Sequence, residues 1–272
     1  DSHHHLWNYS AEEYGWISEE MRNLRRDFFP ADLKPHMDAA GVDGAIAVQA
    51  RQTLEETGWL LEQAEANSFL RGVVGWIPFA NSDVAHHIER FAAHPKLKGF
   101  RHVVQDEPDD RFLLGSAFQA GIRQLLPTGL VYDILIYERH LSVAIEFVDA
   151  HPNQIFVLDH IAKPRIREGI FSPWRENLRE LAKRPNVYCK LSGMATEADW
   201  ITWTPELLHP YFEVALEAFT PSRLMFGSDW PVLEVAGSYE RWASTVRTWL
   251  ARLSPAEQHR VLRGTAMEAY RL

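Results

Sequence analysis

Short runs of apolar and β-branched residues recur along the chain at fairly even intervals, and each is followed by a stretch with helical periodicity. After the opening segment the runs are GAIAVQA (44–50), RGVVGWIPF (71–79), LKGFRHVV (97–104), GLVYDILIY (129–137), QIFVLDH (154–160), NVYCKLSG (186–193) and RLMFGSDWP (223–231). Short β-branched runs bounded by turn residues mark strands, and a 3.6-residue period between them marks amphipathic helices. With the opening segment the runs number eight. Alternating strand and helix units predict a parallel sheet, and eight of them predict a single (β/α)8 TIM barrel of the α/β class.

Cap chemistry supports the helices. Thr53 with Glu56 and Ser254 with Glu257 form S/T-x-x-E boxes, the second with Pro255 at the first helical position; Thr204-Pro205 and Ser172-Pro173 repeat the cap-then-proline start. No low-complexity stretch, long linker or short-period repeat interrupts the pattern, so one domain over residues 1–272 is expected. A chain of this length at 46% hydrophobic can bury one large core.

Charge and cysteine usage narrow the setting. The formal charge of −9, with no Lys/Arg-rich block, argues against a nucleic-acid or anionic-membrane partner and leaves a small molecule as the default ligand. The single cysteine, Cys189, excludes an intramolecular disulfide framework, and no apolar run reaches the length of a membrane span. A cytoplasmic protein is expected, with Cys189 a buried structural residue. Composition leaves the oligomeric state open, although exposed tryptophans on outer helices would suit self-association.

In such a barrel, chemistry sits at the carboxyl-terminal strand ends. The chain opens on DSHHHLW, where His3 and His5 are two apart and project to one face of an extended segment while His4 turns away. A tag remnant is the bland alternative. The run ending LDHIAKP places His160 at a strand tip beside Asp159, and FGSDWP places Asp229 at another. Alone, each is an ordinary structural residue. Together, His3, His5, His160 and Asp229 should converge on one cavity.

The ordered set DSHHHLW, GFRH, YDILI, LDHIAKP, CKLSG and GSDWP resembles the amidohydrolase superfamily, in the branch of sugar-lactone hydrolases that includes L-fuconolactone and L-rhamnonolactone hydrolases. The resemblance spans essentially the whole chain. It implies hydrolysis of an aldono-1,5- or 1,4-lactone to its acid, and makes the opening histidines the H-x-H of the first barrel strand, whose front is expected to precede Asp1. Many members hold two metals through a carboxylated lysine on the fourth strand and a histidine on the fifth. Here those strands carry Arg101, His102 and Asp133, and His140 comes too late, so a binuclear site is not expected. Either no cofactor or a single Zn²⁺ fits; His3, His5 and Asp229 would bind the ion, with His160 a further ligand.

The chemistry needs a water, a base and a stabilised oxyanion. Asp229 is the expected base, with His3, His5 and His160 hydrogen-bonding or protonating the lactone oxygens, and no acyl-enzyme is needed because the G-x-S-x-G elbow is absent. Lys190, inside the barrel by alternation, either meets the substrate or balances Asp133 or Asp229. Trp7, Gln49, Trp76, Arg101, His102, Asp133, Lys190 and Trp230 are the expected substrate-binding wall. His36, His86, His87, His94, His151, His209 and His259 are expected to face solvent. Alternatives on the same fold are a metal-dependent decarboxylase, against which Asp133 counts, and a hydrolase of polycarboxylated lactones, for which only Arg51, Arg101 and Arg165 are plausible partners. A barrel reduced to ligand binding would have lost Asp229 or the paired histidines, and both are present.

Overall fold

Each of the seven predicted runs after the opening segment contains a strand. In the computed structural model, which describes residues 1–272, these are β1 (Ala45–Val48), β2 (Leu70–Gly75), β3 (Leu97–Val103), β4 (Val131–Leu135), β5 (Phe156–Leu158), β6 (Val187–Leu191) and β7 (Leu224–Phe226). They pair in parallel in chain order. Residues 1–5 close the gap between the edges. On one side Ser2 N donates to Phe226 O and His5 N to Trp230 O; on the other, Ile46 N donates to Asp1 O and Val48 N to His4 O. The predicted eighth staple of the barrel is therefore present as a bridging segment, paired at His4 to both Ala47 and Trp230.

Helices cover the outside: α1 (Pro30–Ala39), α2 (Leu54–Ala66), α3 (Val84–Ala92), α4 (Ser116–Leu125), α5 (Leu141–Asp149), α6 (Trp174–Leu181), α7 (Pro205–Arg223), α8 (Tyr239–Leu250), α9 (Pro255–His259) and α10 (Thr265–Tyr270). None is long and apolar enough to cross a membrane. Between helices and strands lies the main core, rich in Leu, Phe and Trp.

Period-two alternation layers the barrel interior. Ile46, Val48, Val74, Val131, Val157, Tyr188 and Met225 form an apolar floor, closed from below by Ala269 and Tyr270 of α10. Two residues further along β4, β5 and β6 come Asp133, Asp159 and Lys190, fully buried, joined by Arg101 of β3. Two further on, Leu135, Ser192 and Asp229 reach the carboxyl-terminal mouth. An apolar floor thus carries an ionic layer, and the ionic layer carries the cleft.

Several local expectations are corrected. The Ser254–Glu257 box forms in full. Thr53 caps α2, but Glu56 turns away to accept from Ala50 N and Arg51 N, at 3.0 and 2.8 Å, and so ties down the β1–α2 loop. At α6 it is Pro173 that occupies the cap position, with no side-chain cap from Ser172. His151 is buried against Gln119, and His140 is buried against Asp110. Trp16, the tryptophan exposed at 41%, lines the mouth of the barrel, not an outer helix.

Candidate active site

A cleft of about 690 Å³ opens at the carboxyl-terminal mouth, with His5, Arg101, His160 and Asp229 among its lining residues. Two local devices bring them there. After β5 the chain makes a left-handed turn through His160, Ile161, Ala162 and Lys163, with φ of 53, 48, 61 and 47°. Such angles are unfavourable for any non-glycine residue and most so for β-branched Ile161. Tertiary contacts hold them: Ile161 is fully buried, Trp174 Nε1 donates to Ile161 O at 2.7 Å, and Lys163 N donates to His160 O at 2.8 Å. Opposite, Gly193 (φ 67°) leaves room for the imidazole, since a Cβ there would lie 2.7 Å from the His160 ring. Asp229, at φ 61°, is pinned by its N–H to His3 O at 2.8 Å.

The four predicted site residues converge. Asp229 Oδ1 lies 3.4 Å from His5 Nε2, 3.7 Å from His3 Nε2 and 3.9 Å from His160 Nε2, and the two opening imidazoles approach at 3.2 Å. His5 Nδ1 donates to Val48 O at 2.8 Å, which turns its Nε2 toward Asp229. His160 Nδ1 meets the Ser192 hydroxyl at 2.8 Å, and that rotor can donate or accept. Burial pushes His160 down to about 4, so it is neutral at pH 7. For Asp229, burial works upward, but His160, His5 and Lys163 outweigh it and hold the carboxyl below the ordinary range. The cleft thus presents one carboxylate beside a neutral His160 imidazole.

Beneath them the ionic layer fixes His3. Lys190 Nζ donates to Asp133 Oδ2 at 2.5 Å, sits 2.9 Å from Asp159 Oδ1 and 3.2 Å from His3 Nδ1. Arg101 donates to Asp159 Oδ2 at 2.9 Å and to Gln49 Oε1 at 2.9 Å through Nε. Tyr270 OH donates to Asp133 at 2.9 Å. Burial pushes Asp133 up to about 6 against the pull of Lys190. Asp159 goes the other way: burial raises it, but Lys190, His3 and Arg101 hold it well below the usual carboxylate range. Burial, reinforced by Lys190, holds His3 well below its ordinary value.

The predicted wall is largely somewhere else. Trp7 is buried among Tyr14, Trp16 and Phe28, with its indole N–H on Arg26 O. Trp230 packs on Phe28 and donates to Glu234. Trp76 donates to His102 Nδ1, and His102 Nε2 faces Glu107 at 2.6 Å. Gln49, Asp133 and Lys190 lie in the buried ionic layer and do not line the cleft; Arg101 belongs to both. The observed wall instead uses Trp16, Arg51, Tyr137, Lys163, Glu197 and Trp200, all from loops beyond the strand tips. Strand alternation says nothing of such residues; the excess of polar and aromatic residues in those loops was the only signal.

The donor set suits a metal. The ligand atoms of His3, His160 and Asp229 lie within 4.8 Å of one another, with His5 Nε2 beside them. The opposite nitrogen of His5 donates to Val48 O, as a ligating imidazole requires, while His3 Nδ1 lies between the Asp159 carboxylate (3.4 Å) and the Lys190 ammonium (3.2 Å).

Imidazoles and a carboxylate gathered at the carboxyl-terminal mouth of a parallel α/β barrel define a hydrolytic site of the metal-capable kind. The chain belongs to the amidohydrolase family, whose model matches residues 1–272. It is 42% identical to an L-fucono-1,5-lactonase of Burkholderia multivorans, covering all of this chain and 95% of that protein. It is 36% identical to an L-fucono-1,5-lactonase of Burkholderia ambifaria, again over all of this chain and 95% of the relative. A crystal structure of an amidohydrolase from Burkholderia multivorans with bound zinc superposes with a TM-score of 0.97 at 42% identity, covering 100% of this chain and 98% of that one.

Proposed function

We propose that this enzyme hydrolyses a sugar-derived aldonolactone, of the L-fucono-1,5-lactone kind, to the aldonic acid. The observation that carries the mechanism is Asp229: a carboxylate held ionised in the cleft, 3.4 Å from His5 and 3.9 Å from a neutral His160. Asp229 takes a proton from water as the water oxygen bonds to the lactone carbonyl carbon. The tetrahedral species then collapses, the carbon–ring-oxygen bond breaks, and the ring oxygen receives that proton. The product acid ionises to a carboxylate. His160 stabilises the carbonyl oxygen from Nε2 when Ser192 donates to its Nδ1. His5, whose Nδ1 proton is committed to Val48 O, turns Nε2 to Asp229, and His3 lies below the cleft surface.

His3, His5, His160 and Asp229 are the residues that would hold a single Zn²⁺, which when bound would polarise the carbonyl and acidify water. That the similar amidohydrolase of Burkholderia multivorans has zinc bound supports a metal in this enzyme, and whether turnover needs it is part of the test. A sugar lactone is favoured over a polycarboxylated one because Arg51 is committed to Glu13, Arg101 to Asp159 and Gln49, and Arg165 lies outside the cleft. The one-domain reading draws on the single main core. The cytoplasmic setting rests on Cys189, kept as a buried free thiol.

The test is acid release from freshly prepared aldonolactones, with L-fucono-, L-rhamnono-, L-galactono- and D-arabinono-lactone assayed before and after chelation. Wild-type turnover lost in Asp229→Asn is the expected result. Survival after chelation assigns a metal-free acid–base route, and loss restored by Zn²⁺ assigns the histidines as ligands. No turnover of any lactone overturns the proposal.

A further inference from the structure

We propose that Lys163 is a further catalytic residue, its ammonium hydrogen-bonding the lactone oxygen on which negative charge develops; this rests on the lactonase reading above. Hydrolysis by a base-activated water places a full negative charge first on the carbonyl oxygen and then on the leaving ring oxygen. A water-poor cleft must supply donors for it. Of the cleft's histidines, His5 has spent its proton on Val48 O, and His160 offers at most one N–H. A further donor is needed whenever no metal takes that role.

Three cations line the cleft: Arg51, Arg101 and Lys163. Arg51 is ion-paired with Glu13 and lies over the Tyr14 ring. Arg101 is tied into Gln49 and Asp159 by four hydrogen bonds. Lys163 differs. Its Nζ makes no hydrogen bond; the nearest carboxylate oxygen, on Glu197, is 3.8 Å away, and the Tyr137 ring centroid is 5.6 Å away. With a side chain only 17% exposed, Lys163 lines the cleft and its Nζ has no hydrogen-bond acceptor within reach. That is a cation poised for an incoming oxygen.

The backbone gives the same answer. Lys163 closes the left-handed turn that begins at His160, so one strained segment delivers both side chains to the same cavity. Strain of this kind persists where the surrounding structure over-determines it, as at functional sites. Glu197 then acts as a positioning residue, close enough to steer the ammonium and too far to consume its protons. No proton leaves Lys163 in the cycle: it donates hydrogen bonds, and the ring oxygen takes the proton that Asp229 carries.

The experiment measures kcat and KM on the lactone that the wild type turns over, for Lys163→Met and Lys163→Gly, with thermal midpoints. Lys163→Met should lose about 10²–10³-fold in kcat/KM, chiefly in kcat, as for removal of one oxyanion donor. Glycine accepts the left-handed angle without strain, so Lys163→Gly should fold, and added ethylammonium should restore part of its rate. A purely structural lysine would show no such rescue. Unchanged kcat in Lys163→Met, or no rescue of folded Lys163→Gly, overturns the proposal while leaving the lactonase reading intact. If the wild type turns over no lactone, both fall.

Discussion

Replacing Lys190 with methionine removes one charge from a fully buried layer while nearly preserving its volume. In the native protein Arg101 and Lys190 oppose Asp133 and Asp159, and the layer is neutral. After Lys190→Met one cation faces two carboxylates. Breaking a buried pair from one side typically costs about 3–5 kcal/mol. An independent route reaches the same size. Asp159 keeps Arg101, so the carboxylate that must yield is Asp133, already pushed up to about 6 by burial. Holding it protonated at pH 7, against an unfolded-chain value near 3.9, costs about 4 kcal/mol at roughly 1.4 kcal/mol per unit.

That route carries a pH signature. In the variant the native state binds a proton that the unfolded chain has released, so stability rises as the pH falls, by about 1.4 kcal/mol per unit between pH 7 and the unfolded value. Denaturant unfolding followed by tryptophan fluorescence at pH 7 and pH 5 measures both quantities. The double variant Lys190→Met/Asp133→Asn, which removes the stranded charge as well, should recover part of the loss and flatten the pH dependence. A Lys190→Met protein destabilised by less than about 1 kcal/mol, or by the same amount at both pH values, would refute the ionic-layer account.

Gly193→Ala should lower both stability and activity, because the new methyl meets the His160 ring and the backbone sits at φ 67°. A loss of about 1–3 kcal/mol in a thermal melt is expected, with kcat falling by more than KM rises, and a fully active variant would show that Gly193 does not set the ring position. In chelated protein, His160 binds its proton near 4 when folded and near 6.5 when unfolded, so stability present above pH 6.5 is lost as the pH falls to about 4, on the order of 3 kcal/mol. Denaturation of wild type and His160→Asn across that range should give curves that diverge by this amount; parallel curves would place the titration elsewhere.

Alternation made the barrel legible, because each strand carries its inward residues at a strict period of two. The same count that puts Val131 and Tyr188 in the floor puts Asp133 and Lys190 in the layer above, so the ionic layer was within reach of the sequence. The tryptophan wall was not. Trp7 and Trp230 share Phe28 as a neighbour across a long sequence separation, and their indoles meet a backbone carbonyl and a glutamate that no local pattern announces. The turn at 160–163 is the sharper case. Local propensity disfavours four left-handed residues in Ile-Ala-Lys company, and an extended continuation would have put Lys163 and His160 on opposite faces. Tertiary contacts from Trp174, Ser192 and Gly193 override that preference. Where a sequence is made to break its own local rule, the energy has been spent to aim particular side chains, and here the two so aimed are an imidazole and a lysine that line one cleft with Asp229.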